Sequence, residues 1–260
     1  MPERVDLLAE QIERLRRLKE SSILLVRKAP QGASRQKGRL GVFPASFNPP
    51  TQAHLALISK ARRFRKLDEI LVLLDAQAMD KEITGAPLED RLIMLKKLFQ
   101  RNPKVSIGIS NRGLFVEKLG PLRRLYLLSV DFVFVVGFDT VVRIMDKKYY
   151  PNRDEALDKL FGLCEILVAG RERDGVDSFE DFFTKRENRR YRDKVSWITL
   201  SSKFSFHSSS LVRKGIAEGQ PVDDMVPPTI LRYIEERGLY RTRTDASLLS
   251  ILSTGRSNRR

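Results

Sequence analysis

Two short stretches, far apart in the chain, hold side chains whose types and spacing suit the handling of phosphate. The first is Leu40–Leu55, LGVFPASFNPPTQAHL. Apolar Leu40, Val42 and Phe43 suit a buried strand, Ser46, Asn48, Pro49 and Pro50 suit a turn, and Leu55, Leu57, Ile58 and Ala61 recur at helical spacing. That spacing predicts a helix opening between Thr51 and Ala53. A strand, a tight turn and a helix N-terminus in that order offer unbonded N–H groups and the positive end of the helix dipole to an anion. Thr51 and His54 stand beside that anion, and Thr51 also suits a plain N-cap. The second stretch is His207–Arg213, HSSSLVR. Ser208, Ser209 and Ser210 open a helical run through Leu211, Val212 and Ala217 that also carries Arg213. Hydroxyls, helix N–H groups and a guanidinium form a second cradle, suited to the outer phosphates of a triphosphate. A serine-rich cap without a ligand is common, so the second stretch gains its weight from the first.

Strands alternating with helices must hold the two stretches together. Glu69–Ala76 is a continuous apolar run of the kind buried on both faces of a sheet. Val105–Ser110 alternates, Asp131–Gly137 is the most hydrophobic strand, and Glu165–Gly170 and Val195–Leu200 complete the series. A helix is predicted over Pro87–Gln100, with helical stretches between the other strands. The expected fold class is α/β, a largely parallel sheet joined by right-handed crossovers and covered on both faces. Such sheets bind ligands at the C-terminal ends of their strands, where the turns Ser46–Thr51 and Gly137–Asp139 both fall. Before this unit, Val5–Leu18 is predicted as an amphipathic helix and Ser21–Arg27 as a short strand, an extension read as packing, an added edge strand or a docking helix.

The residues SFNPPTQAH resemble the first signature of the nucleotidyltransferase superfamily, a GSFNP-type turn followed by H/T-x-G-H, and HSSSLVR resembles the second, ISS-[ST]-x-[IV]-R. VPPTILRYIEERGLY, Val226–Tyr240, is similar to the C-terminal helix of nicotinamide or nicotinate mononucleotide adenylyltransferases. FPASFNPPT with GFDTVVRIMDKKYY resembles a divergent eukaryotic branch that includes fungal cytidylyltransferase-like proteins. The resemblance implies a Rossmann-like nucleotidyltransferase fold and transfer of AMP from ATP to nicotinamide mononucleotide, giving NAD and pyrophosphate. It implies that His54 donates to the α-phosphate and that Arg213 acts with it, on an ATP and phosphate site of Ser46, Phe47, Asn48, Thr51, His54, Lys81, Ser208, Ser209, Ser210 and Arg213. Gly137 and Asp139 match a turn that contacts ribose, with helix capping as the plainer role of Asp139. Tyr150, beside Tyr149, falls near a position where relatives stack an aromatic ring on the nicotinamide, core packing being the commoner fate of such a pair. Arg171 and Arg173 are candidate cations for a nicotinate carboxylate. Magnesium is implied by the polyphosphate chemistry and no metal-ligand set is visible.

The chain departs from the pattern at Pro44 and Ala45, where glycines are usual, and at Ala53. These departures motivate alternatives: another acceptor such as phosphopantetheine, CTP with an alcohol phosphate, or a non-catalytic or weakly ATP-hydrolysing adaptor that docks partners through its extensions. Charge alone does not choose. A net charge of +15 over 260 residues suits polyphosphates or nucleic acid, but no aromatic-interleaved basic motif accompanies it, so a solvated basic surface and tail are expected rather than a nucleic-acid footprint. One cysteine and two histidines argue against a disulfide framework or a His/Cys metal cage. With no membrane span and no signal-peptide core expected, the chain is assigned to cytosol or nucleus. The domain expected is 38–240, preceded by the extension 1–37 and followed by a basic, disordered tail, 241–260.

Overall fold

The most apolar segments of the chain form the middle of one seven-stranded sheet. The computed structural model describes residues 2–33, 38–77, 84–171, 176–204 and 207–241. In chain order the elements are α1 (Pro2–Arg17), β1 (Ile23–Arg27), β2 (Arg39–Pro44), α2 (Gln52–Arg65), β3 (Glu69–Asp75), α3 (Leu88–Phe99), β4 (Val105–Ser110), α4 (Phe115–Leu125) and β5 (Asp131–Gly137). They continue with α5 (Phe138–Ile144), α6 (Arg153–Leu163), β6 (Cys164–Arg171), α7 (Val176–Thr184), α8 (Arg186–Arg189), β7 (Val195–Leu200), α9 (Ser209–Ala217) and α10 (Pro228–Arg237).

The strand order is β1-β4-β3-β2-β5-β6-β7, with every neighbouring pair parallel except β1 on β4. From β2 the chain winds outward through β3 and β4, then returns to place β5 on β2's other side. The direction of winding therefore reverses between β2 and β5, and the loops leaving these two strands diverge to open a crevice there. Side chains on β3 alternate between the faces: Ile70, Val72 and Leu74 join one buried cluster with α1, α2 and α3, while Leu71 and Leu73 join the other with α4, α5, α6 and α7. The lone cysteine, Cys164, is buried in the second cluster, where desolvation pushes its thiol up to about 12 and keeps it unreactive.

A third cluster fastens the C-terminal elements. Met94 of α3 packs with Val212 of α9, Val226, and Ile230 and Ile234 of α10. Beside it, buried Asp90 accepts hydrogen bonds from the Tyr233 hydroxyl at 2.6 Å and Arg237 Nε at 3.1 Å. This contact carries α9, and with it the second serine-rich stretch, to the end of the sheet at which β2 terminates.

The added edge strand expected of the extension is β1, pairing antiparallel with β4. It begins at Ile23 rather than Ser21, because Ser21 and Ser22 serve a turn: the Ser22 N–H donates to Asn111 and the Ser21 hydroxyl to the Glu117 carbonyl. Among the described residues no helix is long and apolar enough to cross a membrane. The expectation of a disordered tail concerns residues almost all of which lie outside the described ones.

Candidate active site

β2 delivers the chain to the crevice, and the manner of its ending accounts for Pro44. Successive N–H groups of a strand point to opposite sides, and the Ala45 N–H donates to Leu73 of β3 at 3.1 Å. The nitrogen of Pro44 therefore faces β5, whose pairing with β2 has already stopped at Val42 and Phe134. No ladder bond needs the donor that proline lacks.

Past Ala45 the backbone turns through Phe47, which adopts a positive φ of 43°. A bulky residue holds that conformation only where packing fixes it. The Phe47 side chain is buried, with ring centroids 5.4 Å from Phe43 and 5.0 Å from His54. These rings form the floor against which the histidine stands.

Thr51 is the N-cap of α2 and His54 the third residue of the helix. The Thr51 backbone N–H donates to His54 Nδ1 at 3.0 Å, closing a capping box, and the Thr51 hydroxyl lies 2.8 Å from the same nitrogen. A backbone N–H can only donate, so Nδ1 is the acceptor and the neutral ring carries its proton on Nε2. The capping role and a phosphate-binding role are thus complementary: the cap fixes the tautomer that leaves the far nitrogen a donor.

α9 reaches the same turn from the other end of the chain. Ser208 is its N-cap and accepts from the Leu211 N–H, Ser209 donates to the Pro49 carbonyl at 2.8 Å, and the Thr51 hydroxyl reaches the His207 carbonyl at 3.4 Å. Arg213, in the second turn, spans both stretches through 2.7 Å to the Asn48 carbonyl and 3.3 Å to Ser210 Oγ. Two helix N-termini, a histidine donor and a guanidinium therefore converge on one turn. The side chains of Ser209 and Asn48 are engaged within the protein. Asn48 Nδ2 donates to the Thr84 carbonyl at 2.6 Å and Oδ1 accepts from the Ala86 N–H at 3.1 Å, an approach made possible by Gly85, where a Cβ would lie 2.4 Å from Nδ2.

Arg91 is a site residue that the sequence reading missed. It is buried, and it donates to the carbonyls of Ala86 at 2.8 Å, Ser46 at 3.3 Å and Thr84 at 2.5 Å. Among the described residues no carboxylate lies within ion-pairing distance, and desolvation holds its pKa below the usual arginine range. A buried cation with only carbonyl partners among the described residues, set behind the β2–α2 turn, adds standing positive potential to that turn. Its signal was its position: Arg91 falls on the stripe of Leu88, Leu92 and Leu95, where a helix facing a core ordinarily carries no charge.

Gly137 and Asp139 lie where β5 opens into the crevice. Gly137 caps α5, with nothing within 4 Å of the position a Cβ would take, and Asp139 is exposed in the first helical turn. Tyr150 stands apart from this group. Its hydroxyl donates to the Ile144 carbonyl at 2.7 Å at the far end of α5, and burial pushes its pKa up to about 12. Lys81 and Arg173 lie outside the described residues, as does the side chain of Arg171.

With this geometry in place, comparison with known proteins defines the class. The family model described as cytidylyltransferase-like matches residues 42–215, and the chain belongs to that family. Among its relatives, the "Putative nicotinamide mononucleotide adenylyltransferase" of Schizosaccharomyces pombe is 31% identical over 225 residues, covering 78% of this chain and 86% of the relative. The "Probable nicotinate-nucleotide adenylyltransferase" of Syntrophotalea carbinolica is 28% identical, covering 78% and 98%. A solved structure of Plasmodium falciparum nicotinic acid mononucleotide adenylyltransferase, complexed with NaAD, shares the fold, with a TM-score of 0.58, 20% identity and coverage of 78% of this chain and 97% of that one. The family match begins at residue 42 and leaves α1 and β1 outside it.

Proposed function

We propose that this protein transfers the adenylyl group of ATP to nicotinamide mononucleotide, forming NAD and releasing pyrophosphate. The observation that carries the reading is His54, whose ring is fixed by Thr51 so that Nε2–H is a donor at the N-terminus of α2, in the same turn that Arg213 grips from α9. An oxygen of the acceptor's phosphate attacks the α-phosphorus of ATP, and the bond from that phosphorus to the oxygen bridging the β-phosphate breaks. Such a transfer asks the protein for alignment and for charge on the oxygens, with little covalent chemistry. His54 and the α2 N–H groups serve the α-phosphate, while Arg213 and the α9 N-terminus hold the departing pyrophosphate. Asp139, exposed beside Gly137, is placed to accept ribose hydroxyls.

Magnesium belongs to this proposal as an ion held by triphosphate oxygens and water. The groups gathered at the turn are cations, hydroxyls and N–H donors, and among the described residues no group of three or more His, Cys, Asp or Glu gathers to hold a metal. A cytoplasmic or nuclear setting goes with this reading, as does a catalytic unit bounded near residues 38 and 240. The relatives' names favour a pyridine mononucleotide over phosphopantetheine or an alcohol phosphate.

The test is incubation of purified protein with ATP, magnesium and either nicotinamide or nicotinate mononucleotide, with CTP and phosphocholine as the control pair, followed by detection of dinucleotide and pyrophosphate. Dinucleotide from ATP is the expected product; ATP binding without transfer to any acceptor replaces the reading with a nucleotide-binding adaptor. Arg213→Ala should weaken ATP by roughly 2 kcal/mol, the scale of a charge-assisted contact, and leave AMP affinity unchanged. Calorimetric titration with both nucleotides checks this, and equal losses would place Arg213 away from the outer phosphates.

A further inference from the structure

The N-terminal extension lies outside the family match, yet it adds β1 to the sheet, and its connection from α1 reaches the end of the sheet at which the β2–α2 turn stands. Because β1 runs antiparallel to β4, with Ile23 opposite Ser110, the connection from α1 to β1 arrives at the C-terminal end of β4. Asn111, fully buried, devotes its side chain to that connection. Nδ2 donates to the carbonyls of Glu20 at 2.9 Å and Leu18 at 3.2 Å and reaches Leu15 at 3.4 Å, and Oδ1 accepts from the Ser22 N–H at 2.8 Å. Arg112 donates to the Lys19 carbonyl, and Arg124 to the Ser21 carbonyl at 2.7 Å. An amide buried with all these bonds made fixes one conformation.

This anchoring has a consequence for Arg16, in the last turn of α1. Its guanidinium is held by Glu13 at 2.6 Å and reaches the Ala76 carbonyl at 3.4 Å, just beyond the end of β3. β2 and β3 pair in parallel with Pro44 opposite Leu73, so Ala76, just past the end of β3, lies at the same C-terminal end of the sheet as the turn that leaves β2. The carbonyl that Arg16 reaches therefore stands on the strand next to β2, at the end where the β2–α2 turn leaves the sheet. At this rim the Asp75 carboxylate at the end of β3 is paired at 3.0 Å with Lys118, whose side chain is fully buried, whereas the Arg16–Glu13 pair is partly exposed.

We propose that the N-terminal extension forms the outer wall of the acceptor subsite and that Arg16 is a binding cation there, meeting the phosphate of the mononucleotide. The inference rests on the transfer reaction proposed above. It assigns the donor to the β2–α2 turn and α9, and the acceptor's phosphate to the β3 side of that turn.

Two measurements test it. Steady-state kinetics of Arg16→Gln should show the KM for nicotinamide mononucleotide raised tenfold or more, with the KM for ATP within twofold of the parent and Arg16→Lys recovering part of the loss. In the unaltered protein, nicotinamide mononucleotide should slow amide hydrogen exchange across residues 15–22, and ATP alone should not. Turnover in the parent with an unchanged mononucleotide KM in Arg16→Gln, or equal changes for both substrates, overturns the inference and leaves the reaction standing. If the parent binds ATP but neither turns over nor gains protection from the mononucleotide, the proposed reaction falls and takes the inference with it.

Discussion

His54→Asn should lower turnover by roughly 100-fold while ATP binds with nearly the parent's affinity, the size of effect that follows loss of one preorganised donor to a transition-state oxygen. The choice of asparagine follows from the geometry. Nδ1 of His54 accepts from the Thr51 N–H at 3.0 Å and completes the cap of α2, and in the proposed reaction Nε2 carries the proton offered to the phosphate. The amide oxygen of asparagine is near Nδ1 in reach and can preserve the cap, but the side chain ends short of Nε2. His54→Ala removes both functions and should add a stability loss of about 1 kcal/mol, the usual scale of a helix cap. Comparing kcat for the two variants, with ATP affinity by calorimetry and melting temperature alongside, separates chemistry from capping. Full turnover in His54→Asn would take the histidine out of the mechanism.

The succession of strands and helices along the chain and the position of the turn between β2 and α2 were legible because local signals produce them. The run at β3 and that at β5 are apolar because both faces of those strands are covered, and the switch from strand to helix across Pro44–Gln52 shows in the change of hydrophobic period. The two signatures were also legible as a pair, and the third cluster explains how they meet, through α9 and α10 packing on α3. What escaped was everything made by contacts distant in sequence. Asn48 reads as a turn residue, yet its amide clips the segment 84–86 to the phosphate turn. Asn111 reads as a loop residue after β4, yet it anchors a segment about ninety positions earlier, as its contact with Glu20 records. Proline at position 44 reads as a lost donor, but whether a donor is needed depends on how far β5 extends along β2, which no local pattern reports. Arg91 left a trace, a charge on an apolar stripe, but a buried cation has several possible uses and only the carbonyls around it identify this one.

Arg91 also carries a large expected effect on stability. Its three nitrogens close a clasp between the phosphate turn, at Ser46, and the loop entering α3, at Thr84 and Ala86. Arg91→Ala strips donors from three carbonyls and empties the space of a long side chain, so a loss on the order of 3 kcal/mol is expected. Arg91→Lys keeps a charge but replaces the planar fork by a single ammonium, which cannot serve three carbonyls with the same geometry, and should fall between the parent and the alanine variant. Nucleotide separates the two consequences of the residue. Desolvation makes this guanidinium costly, and Arg213 nearby adds like charge. A bound triphosphate adds opposite charge well beyond the small contribution of Glu89. Ligand that binds only the folded state raises the melting temperature according to its affinity. Saturating ATP should therefore raise the melting temperature most in the parent, less in Arg91→Lys and least in Arg91→Ala, with AMP giving smaller differences among the three. Thermal melts of all three proteins with no nucleotide, AMP or ATP decide the matter. Equal ATP-induced shifts across the series would reduce Arg91 to a structural clasp, and an unchanged melting temperature for nucleotide-free Arg91→Ala would remove the clasp as well.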